Sequence, residues 1–277
     1  MSAASVIIST YNQPAWLRKT LVSYAAQTAA DFELVIADDG SGPETRAVIE
    51  AFAAESARPV RHAWHPDRGF RKTEILNRAT ELSSADYVIY TDGDCPARAD
   101  FVATHLAHRR PGHFLSGGYL KLGRALSEAI TEDDIRSQRC FDPAWLRAQG
   151  HPRSIKNWKL LRSRGPARLL NALTPTTPSW NGHNASTWRR DILAANGFDT
   201  RMKYGGEDRE FGERLVNAGL RPVQLRYSAV CIHLDHDRGY VTPDMIAANA
   251  AIRAATRENK SARTPYGIEQ GPAPGPN

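Results

Sequence analysis

The chain has no apolar run long enough to cross a bilayer. Its longest, such as SVIIS (5–9) and DYVIY (86–90), are strand-sized, whereas a spanning helix needs about 20 consecutive apolar residues. A basic segment followed by an apolar core, the mark of a secretory leader, is also missing. MSAASVIIST enters a strand at once, and a cytoplasmic location is expected. Cysteine is scarce: Cys95, Cys140 and Cys231 are widely spaced and form no CxxC pair, which argues against a disulfide framework and a zinc site. Zinc-finger, RRM and KH signatures are absent, so no nucleic-acid partner is expected. The net charge of +6 and pI near 9.3 nevertheless favour anionic partners of some kind. With 277 residues, 41% of them hydrophobic, and no internal repeat, the composition suits a globular protein with a sizeable core.

What is present is an alternation. SVIIS, ELVIA (33–37), PVRHAW (59–64) and DYVIYT (86–91) are continuous apolar or β-branched runs, separated by segments with helical spacing that open near Pro14 and Pro43 and close near Leu82. Strand and helix in turn, with apolar strands, predict an α/β fold with a mostly parallel sheet covered on both faces. In such sheets ligands bind beyond the carboxyl ends of the strands, where Thr10, Tyr11, Asn12, Asp38, Asp39, Asp92 and Asp94 are expected. The second half is less regular. HFLSGGYLKL and SAVCIHL look like strands, residues 123–175 look mostly helical, SWNGHNASTWR looks strand-like, and a helix is expected over about 242–258. The proline- and glycine-rich end predicts a disordered tail over 259–277.

VIYTDGDCP (88–96) places two aspartates one residue apart after a buried strand. Side chains at i and i+2 of a strand point the same way, so Asp92 and Asp94 would aim two carboxylates at one spot and repel unless a cation joined them. The plain alternative is an Asp-Gly turn with solvated acids. GGEDREFGERLVNAG (205–219) reads as a glycine-rich loop opening a helix that Gly219 closes; its acids Glu207 and Asp208 suit a helix N-terminus with or without chemistry.

Four segments in this order, SVIISTYNQPAWLRKTLVSYAAQT, FELVIADDGSGPET, YVIYTDGDCP and NGFDTRMKYGGEDREFGERLVNAG, resemble family-2 glycosyltransferases with the GT-A fold. The resemblance covers roughly residues 5–235 and is closest to the chondroitin-polymerase-like and galactosyltransferase-like branch, through the spacing of RGFRKTEILNRA. It implies a nucleotide-sugar-binding half over 1–100 and an acceptor-binding, catalytic half over 101–258. Members of that branch often carry arginine before the asparagine; Leu76 stands there, so diphosphate contacts would fall to Arg68, Arg71 or Lys72.

The resemblance implies a metal-dependent, inverting transfer from a nucleotide donor, UDP-linked by family analogy. Thr10, Tyr11, Asn12, Asp39 and Asn77 would hold the nucleotide. Asp94, with Asp92 beside it, would hold Mn²⁺ or Mg²⁺ against the diphosphate. His233 would complete the metal shell, with His236 as its competitor; an imidazole ligand favours Mn²⁺. Asp208 would take the acceptor proton and Glu207 would help bind the acceptor. Asn184 matches a position near the donor sugar, and Trp180 would stack on a sugar or lie in the core.

RSIKNWKLLRSRGPARLLNALT (153–174) mixes Arg153, Lys156, Lys159, Arg162, Arg164 and Arg168 with Trp158 and several leucines. Such composition fits a helix lying on an anionic membrane, or equally a solvated surface helix. With the membrane, the acceptor would be lipid-linked, as in lipopolysaccharide or capsule assembly, and the protein peripheral. The competing functions are a sugar-phosphate nucleotidyltransferase, which STYNQPAW does not suit, and a catalytically silent GT-A domain that binds carbohydrate or a partner.

Overall fold

The computed structural model describes residues 2–161, 163–237 and 241–269. The elements run β1 (Ser5–Thr10), α1 (Pro14–Ala25), β2 (Glu33–Asp38), α2 (Pro43–Glu55), β3 (Val60–Trp64), α3 (Lys72–Leu82), β4 (Tyr87–Asp92), α4 (Phe101–His108) and β5 (His113–Lys121). Four short helices follow, α5 (Arg124–Ala129), α6 (Glu132–Arg136), α7 (Pro143–Ala148) and α8 (Arg164–Leu173), with 3-10 turns at Arg139–Phe141 and Ile155–Leu160. Then come β6 (Ala185–Trp188), α9 (Arg189–Ala194), α10 (Glu207–Asn217), β7 (Arg221–His233) and α11 (Pro243–Glu258). None of the described helices is long and apolar enough to cross a membrane.

The sheet has seven strands in the order β3-β2-β1-β4-β6-β5-β7. β3, β2, β1 and β4 are parallel, β5 and β7 are parallel, and β6 is antiparallel to both β4 and β5. The reading of an α/β, mostly parallel sheet therefore holds, with one reversed strand joining the halves. Continuous apolar strands form it because both faces are buried. Val6 and Ile8 pack with Leu17, Leu21 and Phe101 on one side; Ile7 packs with Ile75, Val88 and Phe211 on the other. Proline at the first helical position opens α1 and α2, where its fixed φ is already helical and its missing N–H costs nothing.

Register places the site. Thr10 pairs with Asp38 and Ser9 with Asp92, so the carboxyl ends of three parallel strands finish along one edge. At the junction with the second half, a Cβ on Gly117 would lie 2.0 Å from Asn184 Oδ1. Only glycine lets β5 pass that side chain.

The tail departs from expectation. Asn196 Nδ2 donates to the carbonyls of Thr264 and Glu269, Asn196 Oδ1 accepts from Glu269 N–H, and Thr264 Oγ1 donates to Asp199 Oδ2 at 2.7 Å. Residues 259–269 are thus packed and not disordered, because their backbone groups find side-chain partners in a preceding turn. Residues 270–277 lie outside the described residues.

Candidate active site

The first strand-to-helix turns are tied together. Asn12, at φ 46°, donates its N–H to Ser41 Oγ and accepts from Gly42 N–H through Oδ1, both at 2.9 Å. Thr10 is buried and Tyr11 exposed, its hydroxyl donating to Asp67. Asp38 turns inward, accepting from Ser41 N–H and contacting His62. Asp39 lies at the cavity with Oδ1 2.7 Å from His65 Nε2 and Oδ2 accepting from Arg71 N–H at 2.9 Å. Burial raises its pKa and those bonds oppose the rise.

Asp92 accepts from Ser9 Oγ and Lys72 Nζ, each at 2.6 Å. Burial works against its charge, but the Lys72 ammonium overrides it and holds the carboxyl far below the usual range. Lys72 in turn is raised, against the cost of burial, by Asp92, Glu207 and Asp208. Asp94, two residues on, is buried and faces two imidazoles, His236 Nε2 at 2.9 Å and His233 Nε2 at 3.5 Å. Each ring directs Nδ1 at a backbone carbonyl, Leu234 O for His233 and Asp237 O for His236, both at 2.9 Å. A carbonyl only accepts, so Nδ1 carries a proton and Nε2 is the ring atom turned to the carboxylate. Two electron-rich atoms this close are stable with a proton or a metal ion between them. Cys95 Sγ donates to Asp94 Oδ1 at 3.2 Å, and Asp94, Cys95 and His233 bring their ligand atoms within 4.8 Å of one another.

The start of α10 is built by backbone geometry. Gly205 and Gly206 have φ of 108° and 94°, a region side chains disfavour, and their turn launches α10. Glu207 is buried, accepts from Gly205 N–H at 2.9 Å, and is pushed up in pKa chiefly by that burial. Asp208 is half-buried, accepting from Gly182 N–H at 3.1 Å and Arg209 N–H at 2.7 Å. Behind them Arg214 binds Glu210 and donates to the carbonyls of Ala195 and Gly197, at 2.6 and 2.7 Å.

These groups share one cavity of about 690 Å³. Thr10, Tyr11, Asn12, Asp39, Lys72, Asp92, Asp94, Glu207, Asp208, His233 and His236 all line it. Both His233 and His236 reach Asp94, so contact with that carboxylate does not choose between them. Three expectations fail, and for Trp180 the core alternative holds. Arg68 is exposed and away from the lining. Asn77 is buried and spends its amide on Phe198, accepting from its N–H and donating to its carbonyl. Trp180 is fully buried among Tyr90, Phe114 and Phe211, a core residue and not a sugar platform. Asn184 is fully buried too, donating to the carbonyls of Gly118 and Ala229 and meeting His105 Nε2 at 3.0 Å; it joins strands and does not line this cavity.

Sequence reasoning missed several lining residues: His183, the Phe70–Tyr204 edge-to-face pair, and Ile246 and Arg253 of α11. His183 packs 4.5 Å from the Tyr119 ring, and burial lowers its pKa to about 4. Its only signal was its place beside Asn184. Ile246 and Arg253 had none, because only tertiary packing brings α11 over the glycine turn.

Residues 5–109 match the family model described as Glycosyl transferase family 2. Validoxylamine A glucosyltransferase of Streptomyces hygroscopicus subsp. jinggangensis (strain 5008) is 29% identical over 250 residues, covering 84% of this chain and 56% of that protein. Over that segment the chain is similar to glycosyltransferase family 2. Hyaluronan synthase of Pasteurella multocida is a further relative, 24% identical across 78% of this chain and 23% of its own length. The chain spans about half the length of the validoxylamine A glucosyltransferases, 56% and 52%. Among solved structures, S. aureus TarS 1–349 in complex with UDP-GlcNAc superposes with a TM-score of 0.62 at 16% identity, covering 94% of this chain and 69% of that one. The mannosyltransferase PcManGT from Pyrobaculum calidifontis, in complex with GDP-Man and Mn²⁺, gives 0.56 at 18% identity, covering 94% and 63%. The fold of this chain is therefore GT-A.

Proposed function

We propose that the protein transfers a sugar from a nucleoside-diphosphate donor to a hydroxyl of a saccharide or lipid-linked saccharide, inverting the anomeric centre. One observation carries the reading. A single cavity holds Asp92 and Asp94 with two imidazoles, and, reached across Lys72, the acidic start of α10. Asp39 has both oxygens fixed from behind by His65 and Arg71, which presents its remaining lone pairs to a nucleobase N–H.

A divalent cation fits the residues present. Asp94, His233 and His236 offer one carboxylate and two correctly oriented Nε2 atoms, a donor set that favours Mn²⁺ over Mg²⁺. Bound there, the ion would absorb charge on the departing diphosphate. The chain's own groups supply the rest. Lys72 keeps Asp92 ionised and adds a positive charge near the diphosphate. Asp208 accepts the proton as the acceptor oxygen bonds to the anomeric carbon and the bond to diphosphate breaks. Glu207, more buried, orients the acceptor. Direct displacement with one base inverts the centre, so an α-linked donor yields a β-glycoside. UDP is the favoured donor nucleotide, by analogy with TarS, and cell-surface glycan assembly is the favoured setting.

Turnover of UDP-, GDP- and dTDP-sugars, measured with Mn²⁺ and then with EDTA, tests the proposal. Hydrolysis or transfer from one donor class, abolished by EDTA, is expected. Unchanged turnover in EDTA removes the metal, and failure of every nucleotide to bind removes the function.

A further inference from the structure

We propose that the face formed by the Ile155–Leu160 turn and α8 docks on an anionic phospholipid surface; its purpose, delivering the cavity to a lipid-linked acceptor, rests on the transfer reading above, but the docking does not. The sequence left this segment open between a membrane-lying and a solvated helix. The exposure pattern separates them. Ile155, Trp158, Leu169 and Leu173 are 81%, 56%, 59% and 68% exposed, a cluster of large apolar side chains within one short stretch. A solvated helix would turn these inward and its polar residues out. Here the inward side of α8 is already satisfied: Ala167 is buried, and Asn171 donates to Ser228 Oγ and accepts from Tyr227 N–H. Leu169 and Leu173, one turn apart, are left on the outer face.

The charge around that face has one sign. Residues 143–190 contain no aspartate or glutamate. Arg153, Lys156 and Arg168 are exposed and make no ion pair among the described residues. Apolar side chains ringed by unpaired cations match the headgroup boundary of an anionic bilayer, where leucine and tryptophan enter the acyl edge while arginine and lysine meet phosphate. A nucleic acid would use the cations and leave the leucines in water.

One expected member of the basic set is withdrawn from this face. Lys159 is buried, donates to Tyr119 O at 2.7 Å, and holds its ammonium 5.0 Å above the Tyr119 ring. That ring packs 4.5 Å from His183 and 5.8 Å from His233. The face therefore abuts the histidine end of the cavity. Arg162 and the side chain of Arg164 lie outside the described residues.

The test is sedimentation of the full chain with phosphatidylglycerol-rich and pure phosphatidylcholine vesicles, without nucleotide or metal. Binding to the anionic vesicles alone, weakened by salt, is expected. Replacing Arg153, Lys156 and Arg168 by alanine should lower partitioning about a hundredfold. Leu169→Asp with Leu173→Asp should abolish it while UDP affinity and circular dichroism stay unchanged, since both positions are exposed. Absence of binding to anionic vesicles overturns the proposal, as does binding that ignores the leucine pair. A dimer in light scattering that the leucine pair dissociates also overturns it, assigning the face to a second copy. An unsubstituted chain that ignores anionic vesicles yet transfers to a soluble acceptor removes the docking alone; one that binds them without transferring removes the transfer.

Discussion

The two halves of the sheet handle polar residues in opposite ways. On the β3-β2-β1-β4 side, polar groups collect at strand ends and face the cavity, as Asp39, Asp92 and Asp94 do. On the β6-β5-β7 side, polar groups are sunk between strands and serve the fold. There Ser186 and Asn184, with Tyr87 of β4 and His105 of α4, form a buried chain, with contacts of 2.7, 2.7 and 3.0 Å along it. The difference follows from direction. Parallel strands end together and leave a shared rim, whereas the reversed β6 must join the two parallel parts of the one sheet and needs extra polar fasteners inside.

If that contrast is right, substitutions at the rim cost turnover and substitutions in the fasteners cost stability. Asp208→Asn should show the largest effect, lowering kcat roughly a thousandfold with UDP binding kept; single-turnover kinetics with a bound donor reads it. Asp94→Asn should lower turnover about a hundredfold and remove most of the Mn²⁺ response in titration calorimetry. Trp180→Ala should destabilise by about 3–5 kcal/mol in denaturant titration, with KM for the donor unchanged; a raised KM would move Trp180 back to the sugar.

The pH prediction concerns His105, whose pKa burial lowers to about 4, with the Asn184 bond opposing. The folded state therefore keeps this ring neutral. As pH falls from about 6.5 toward 4 the unfolded chain gains a proton that the folded one refuses, and stability is lost over that window, by about 3 kcal/mol at most. His105→Gln should flatten the slope of melting temperature against pH. The smallest effect is Asn77→Ala, about 2 kcal/mol of stability from its two bonds to Phe198, and no change in nucleotide affinity.

The legibility of the sequence divides along the same line. Asp39, Asp92 and Asp94 follow continuous apolar runs, and a strand end marks itself by where the run stops. Glu207 and Asp208 were readable for a similar reason, because a double glycine signals the turn before a helix. Asn184 drew attention by matching a family position near the donor sugar and Trp180 as an aromatic able to stack on one, yet their surroundings come from far along the chain: Gly118 and Ala229 stand 66 and 45 residues from Asn184. No local pattern encodes such partners. His236 lies beyond the end of β7, and only the return of the chain, with Leu234 N–H bonded to Asp94 O at 2.9 Å, sets it beside His233.

The strap of residues 264–269 across Asn196 bears on how the molecule is made. Arg214 rests α10 on the carbonyls of Ala195 and Gly197, and the turn between them is buckled by Glu269, 73 positions later. During synthesis the strands that form the cavity rim can assemble as they leave the ribosome, while the acid-bearing helix waits for the distant strap before its seat is fastened.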